Sequence, residues 1–262
     1  MKIAILGAAG RMGQNLIHCG AKMDGCELVA AVERPDFPLL GKRVSDPLLP
    51  ENALAYTDGW PETAECVIDF TFHACVPEHL RQAAACGQAY VLGTTGLTEE
   101  EQRAVHEAAT RIPVVWANNM STGVNLLLEL VRRSAEILGP EYDIEIVETH
   151  HRMKKDAPSG TALSLAKAAA DGRKVNLKDV ACYGREGIVG ERPVGQIGIH
   201  ALRGGSVVGD HTVAFMADEE RIEITHKASS RESFAKGALR AALWLQGKPA
   251  GLYSMRHVLG FE

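Results

Sequence analysis

The chain has 262 residues, 46% of them hydrophobic and 23% charged, with a formal net charge of −5. This is the balance of a globular protein long enough for two domains, and it argues against a global role in binding nucleic acid or another polyanion. Six cysteines without a C-x-x-C pair or zinc-type spacing read as reduced core residues, and no apolar run approaches the ~18 residues of a membrane span, so a cytoplasmic protein is expected.

The first predicted element is a buried strand over Lys2 to Leu6, which stops at Gly7. Its lysine and apolar run resemble the start of a signal peptide, but the glycines come too early and the apolar stretch is too short. Helical periodicity follows from about Met12 to Met23, then a second apolar run, "ELVAAVE", ending at Glu33. Further strands are read at Glu65 to Phe70, Ala89 to Gly93 and Ile112 to Ala117, separated by helices near Pro77 to Cys86 and Thr98 to Thr110. Strands alternating with helices imply βαβ units and a doubly wound parallel sheet.

The turn between the first strand and helix, "GAAGRMG", places Gly7, Gly10 and Gly13 where backbone N–H groups can approach a pyrophosphate at a helix start. The spacing departs from strict G-x-G-x-x-G, because Ala8 stands at the first glycine position and Gly7 lies one residue earlier. Glycine at a strand–helix turn is also common for purely structural reasons. Here a carboxylate, Glu33, follows twenty residues after Gly13 at the end of the second strand, placed to accept from ribose hydroxyls. Arg34 comes next and suits a 2′-phosphate, so NADH and NADPH both remain open. "GTTG", Gly93 to Gly96, ends another strand on the rim where ligands sit; read alone, it is equally a tight turn before a helix capped by Thr98.

After about Ser121 the pattern changes. A long amphipathic helix, Val124 to Leu138, precedes the strand "YDIEIVETH" and a helix beginning near Gly160. A glycine-rich charged stretch, "YGREGIVGERPVGQIG", has no clear period. Gln196 to Leu202, Ser206 to Met216 and Arg221 to Lys227 read as strands joined by short turns, so this region is α+β with a mixed or largely antiparallel sheet. A last amphipathic helix, Glu232 to Gln246, is expected to pack back on the first domain.

"ETHHRMKKDAPSGTA" gathers His150, His151, Arg152, Lys154 and Lys155 within six positions. Like charges this close repel, and in a mildly acidic protein they point to a small anionic ligand, although such a run is also ordinary on a solvated surface. Adjacent histidines in a strand face opposite ways and chelate a metal poorly, so no metal is expected. "DAPSGTA" reads as a helix start: Ser159 caps, and Gly160 and Thr161 open the first turn, a place that receives carboxylate or phosphate. Lysine, imidazoles and a helix start together suit an acid with two carboxylates.

"GAAGRMG", "VIDFT", "GTTG", "NNMSTGVN", "ETHHRMKKDAPSGTA", "REG…GER" and "ITHKASSR" together resemble the 4-hydroxy-tetrahydrodipicolinate reductase family of lysine and diaminopimelate synthesis, nearly end to end. The resemblance implies a Rossmann-like dinucleotide domain from residues 1–121 and 231–262, and a substrate-binding and oligomerisation domain from residues 122–230. It implies NADH or NADPH as cofactor, a small cyclic dicarboxylate as substrate, no nucleic-acid or membrane partner, and a homotetramer. It carries cofactor contacts onto Gly7, Ala8, Ala9, Gly10, Arg11, Met12, Glu33 and Arg34, then Gly93, Thr94 and Thr95, then Ala117, Asn118, Asn119 and Met120. It makes His150 a proton donor or acceptor, Lys154 the proton donor, and His151, Gly160 and Thr161 substrate contacts. The segment Phe72-His73-Ala74-Cys75 departs from the family pattern, which often has a short proline turn there. Two other classes fit the residues less fully. One is a different two-domain oxidoreductase, such as an amino-acid dehydrogenase; the other is a regulator that binds dinucleotide without chemistry.

Overall fold

The computed structural model describes residues 1–50 and 54–262. The chain divides into two compact units, Met1–Thr122 with Arg231–Glu262, and Gly123–Ser230.

The first unit opens with β1 (Lys2–Leu6), α1 (Arg11–Gly20), β2 (Glu27–Val32), β3 (Tyr56–Thr57) and β4 (Cys66–Asp69). It continues with α2 (Val76–Cys86), β5 (Ala89–Leu92), α3 (Glu99–Ala109) and β6 (Pro113–Trp116). β1 is apolar at every position after Lys2 because both of its faces are covered. Ile3 and Ile5 enter one core with Leu16, Ile17 and Leu239, while Ala4 and Leu6 enter a second with Leu80 and Val105. Burying each larger aliphatic side chain contributes roughly 1.5–3 kcal/mol, which fixes the strand between its two helical layers. Local signals set the helix ends. Thr98 and Glu101 form a reciprocal capping box at the start of α3, and α2 ends at Gly87 in the left-handed region (φ 67°).

The second unit holds α4 (Thr122–Leu138, whose first residue belongs to the first unit), β7 (Asp143–His150), α5 (Gly160–Gly172) and α6 (Leu177–Val180). β8 (Ala181–Cys182), β9 (Ile197–Arg203), β10 (Gly209–Met216) and β11 (Arg221–Ala228) complete it. The chain then returns to the first unit with α7 (Glu232–Trp244), β12 (Gly251–Tyr253) and α8 (Met255–Val258). Seven strands of the first unit form one sheet, ordered β12-β6-β5-β4-β1-β2-β3, and every pairing in it is parallel. α7 packs on α1, as expected of the last helix.

The second sheet is ordered β11-β10-β7-β9-β8 and is mixed: β7 runs antiparallel to β10 and parallel to β9. Along β7 the residues Ile144, Ile146, Glu148 and His150 are buried on one face, and Glu145, Val147 and Thr149 lie on the other. The first two join Leu165, Val213 and Phe215 in the core under α4 and α5. The buried stripe therefore changes from aliphatic to ionisable toward the end of the strand, and the candidate site lies there.

The expected fold class is the observed one, with small differences at element ends. α1 stops at Gly20 rather than Met23: past it the chain tightens into turns, with Lys22 N–H donating to Cys19 carbonyl and Met23 N–H to Gly20 carbonyl. The strand expected from Ser206 begins at Gly209, where pairing with β11 starts. β3, β8 and β12 were not read at all, being two or three residues long and thus below any measurable period.

Candidate active site

The first unit carries one candidate site, made largely of backbone. Gly7 has φ 69°, and its N–H and that of Ala8 both donate to the carbonyl of Val32 at the end of β2. The turn then closes on itself, with Gly10 N–H donating to Gly7 carbonyl (3.0 Å) and Gly10 standing at the N-cap of α1. A Cβ on Gly13 would lie 2.2 Å from the Gly7 carbonyl oxygen and 2.5 Å from that of Ala8, so only glycine lets the helix approach the loop this closely. Glu33 follows β2 directly and accepts the Ala9 N–H at 2.8 Å, which ties the acid to the glycine loop. Arg34 is largely exposed and paired with Asp36 at 3.0 Å.

Beside the loop, the structure brings together Arg11, Met12, Gly93, Asn118, Asn119 and Met120 around a cleft of about 250 Å³, with Phe70, Arg231 and Phe234 completing its wall. Gly93 is necessary there, because a Cβ would overlap the Phe70 ring at 2.2 Å. The Thr94 hydroxyl is used by the protein itself: it donates to Asp69 Oδ1 (3.0 Å) and accepts from Thr71 N–H (3.0 Å). Any contact of Thr94 with a ligand therefore comes from its backbone, whereas the Thr95 side chain is exposed. Asp69 is fully buried and also accepts from Tyr90 (2.5 Å) and His79 (2.8 Å). Burial raises its pKa, but these hydrogen bonds outweigh burial and hold the carboxyl below its usual value. Ala117 N–H reaches the Leu92 carbonyl (3.3 Å), which sets the start of the Asn118–Met120 segment. A glycine turn that at Gly13 admits no Cβ, a helix N-terminus and an acid after the second strand fit a dinucleotide.

The second unit carries another candidate site, at the end of β7. His150 ends β7 and is 8% exposed. Its Nδ1 lies 2.5 Å from Glu148 Oε2, and its ring meets that of His211 edge-on at 5.2 Å. Glu148, fully buried, also accepts Ser159 N–H through Oε1 (2.9 Å) and takes both arms of Arg203 at 2.8 and 2.9 Å. Burial raises the Glu148 pKa, yet the Arg203, His150 and Ser159 hydrogen bonds more than offset this and leave it lowered. Ser159 caps α5 by accepting Ala162 N–H (3.1 Å), and its hydroxyl lies 3.1 Å from His211 Nε2. His211 is pushed down to about 4, first by burial and then by the neighbouring His150, and its Nδ1 is buried without a hydrogen-bond partner.

His151 lies beyond the strand and is half-buried; its N–H donates to Val207 carbonyl (2.8 Å). Lys154 is paired with Asp156 at 2.9 Å. Gly160, at the head of α5, has open space where a Cβ would stand. The expectation of a cationic knot missed the anions: Glu148 and Asp156 each hold one of its members. Arg203 and His211 went unread as well, being more than fifty residues away in sequence. Glu148 carried a usable signal, since it shares the buried face of a strand with Ile144, Ile146 and His150.

A parallel sheet with a glycine cradle at its first βα turn, carried on one chain with a compact unit that presents a histidine and a lysine near a helix start, defines a nicotinamide-dependent oxidoreductase of small molecules. The family model described as Dihydrodipicolinate reductase, N-terminus, matches residues 1–120, and that described as Dihydrodipicolinate reductase, C-terminus, matches residues 123–259. The chain belongs to this family. It is 48% identical over 269 residues to the 4-hydroxy-tetrahydrodipicolinate reductase of Anaeromyxobacter dehalogenans, with 100% of this chain and 98% of that one covered. It is 47% identical over 265 residues to the enzyme of the same name from Thiobacillus denitrificans, covering 100% and 99%. The fold matches that of dipicolinate-bound dihydrodipicolinate reductase from Paenisporosarcina sp. TG-14 (TM-score 0.78, 22% identity, 97% of each chain covered).

Proposed function

We infer that the chain reduces 4-hydroxy-tetrahydrodipicolinate to tetrahydrodipicolinate, with loss of water, in diaminopimelate and lysine synthesis. The observation that carries this reading is the end of β7, where His150 and the capped start of α5 are tied to one carboxylate and Lys154 lies a few residues on. A bound nicotinamide supplies the hydride. Gly7, Ala8, Ala9, Gly10, Arg11 and Met12 hold its phosphates, Glu33 accepts from the adenosine ribose, and Gly93 to Thr95 with Ala117 to Met120 hold the nicotinamide side.

Lys154 and the first turn of α5, with Gly160 and Thr161, receive the two carboxylates, and His151 adds a further contact. The Lys154–Asp156 pair is solvent-accessible on the aspartate side, and such pairs contribute at most about 1 kcal/mol, so a substrate carboxylate can replace Asp156 as the partner. Lys154 and His150 are the groups that donate and relay the proton taken up by the enamine carbon after reduction at C4. Both NADH and NADPH serve, with Glu33 favouring the free ribose diol and Arg34 offsetting the repulsion of a 2′-phosphate.

The free cysteines fit a reducing compartment, the cytoplasm, and Val147, Leu202 and Ile222 leave apolar area on the second sheet that copies of the chain would cover in a homotetramer. Among the described residues no helix is long and apolar enough to cross a membrane.

A coupled assay with synthase-generated substrate tests this reading, run with NADH and with NADPH. Oxidation of either cofactor only when that substrate is present is the expected result; turnover of an amino acid instead would replace the reading. Pyridine-2,6-dicarboxylate should compete with substrate, and pyridine-2-carboxylate should inhibit at least about tenfold more weakly, because charge-assisted hydrogen bonds worth ~1.5–3 kcal/mol each are lost. Equal inhibition by the two acids would sink the two-carboxylate site.

A further inference from the structure

We propose that Glu148 is the positioning residue of His150, fixing the hydrogen on Nδ1 so that Nε2 is the nitrogen that exchanges a proton during turnover. This rests on His150 acting as the acid–base group described above. The geometry carries the assignment. Glu148 Oε2 stands 2.5 Å from His150 Nδ1, two residues back on the same buried face of β7. The carboxylate cannot turn away, since Oε1 is held by Ser159 N–H and both oxygens by the Arg203 fork. Arg203 is itself anchored, donating to the Asp156 carbonyl at 2.7 Å.

An ionised carboxylate only accepts hydrogen bonds. With Glu148 kept ionised, first against burial and by Arg203, the short contact requires the hydrogen to be on Nδ1 whether the ring is neutral or charged. Across the strand pair, Gly209 stands opposite, and a Cβ there would approach Nε2 to 3.0 Å, so glycine leaves that nitrogen uncrowded. One carboxylate thereby fixes the orientation of the imidazole and the start of α5 together.

Glu148→Gln separates these two effects. Its amide oxygen can keep the Ser159 N–H and one Arg203 arm, while its NH₂ faces Nδ1 as a donor, reversing the tautomer and giving up the other Arg203 arm. kcat should fall roughly 10- to 100-fold with KM for the dicarboxylate within about threefold. In a His150→Ala background the same change should cost no more than about twofold further, which a merely structural role would not produce. In the wild type, histidine ring ¹⁵N shifts, assigned by comparison with His150→Ala, should place the His150 hydrogen on Nδ1. Equal losses in both backgrounds, or a hydrogen on Nε2 in the wild type, would overturn the proposal. Should Glu148→Gln not fold, the wild-type spectrum decides alone. An unchanged kcat in His150→Ala would instead remove His150 from the mechanism, a failure of the earlier reading that the wild-type spectrum leaves distinct.

Discussion

The two candidate sites, one in each unit, are built on opposite principles. In the first unit the glycine loop works by removing side chains: Gly13 lets α1 close on the loop, and what the turn presents is backbone N–H groups. Its one carboxylate, Glu33, is tied to that backbone through Ala9. In the second unit the end of β7 works by clustering ionisable side chains in a buried place: Glu148, His150, Arg203 and His211. A backbone site has no titrating group of its own and changes little with pH, but at Gly13 it has no room for a side chain. A side-chain site tolerates added volume better and depends on every charge having its partner. Geometry limits the first site and protonation the second.

The sharpest break is in the chemistry of the second unit. Lys154→Ala should lower kcat roughly 10²- to 10⁴-fold while thermal stability stays near wild type, because the ammonium lost is paired only with the exposed Asp156 and no core is opened. A purified variant with near-wild-type kcat would exclude Lys154 as the proton donor.

The matching change in the first unit should act on stability as well as on binding. Gly13→Ala forces a methyl against two carbonyl oxygens of the loop and should cost about 3 kcal/mol, seen as a lower urea midpoint, with cofactor affinity lost in parallel. If the variant binds NADH normally, the loop has more room than the structure shows.

Acid should separate the units a third way. His211 stays neutral in the fold down to about 4, while in the unfolded chain it takes a proton near its usual 6.5. The unfolded state binds more protons between those values, so stability falls as pH drops from about 6.5 to about 4. Between pH 7 and pH 5 the loss reaches at most about 2 kcal/mol. Glu145, lowered to about 2 by Arg185, His200 and Arg192 against the effect of burial, adds a second loss below about 4.5. Urea midpoints at pH 7 and pH 5 for wild type and His211→Gln check this; an equal pH dependence in the variant would show that another group is responsible.

The smallest effect concerns cofactor choice. Arg34→Ala should raise KM for NADPH several-fold more than KM for NADH. Asp36 already holds the guanidinium, so the difference should be modest, and equal changes in the two constants would mean that Arg34 does not reach the 2′ position.

What the sequence determined by itself is whatever repeats or punctuates over a few residues. The buried strands of the first unit, the amphipathic α4 and α7, the glycine turn at Gly7 to Gly13, the Ser159 cap and the run of cations from His150 to Lys155 are local, and each has a chemical reason visible in its own neighbours. Tertiary structure alone decided which of those groups meet. Arg203 reaches Glu148 because β9 pairs with β7 in a register that sets Arg203 opposite His150, and His211 lies opposite Glu148 because β10 pairs on the other side. Thr94 and Tyr90 converge on Asp69 by the same kind of pairing between β4 and β5. Register is fixed by the burial of whole faces, summed over strands that lie far apart in the chain, and no short stretch of sequence contains it. The sequence thus showed a charged segment asking for an anion, and the fold showed that one of the anions it holds is its own Glu148.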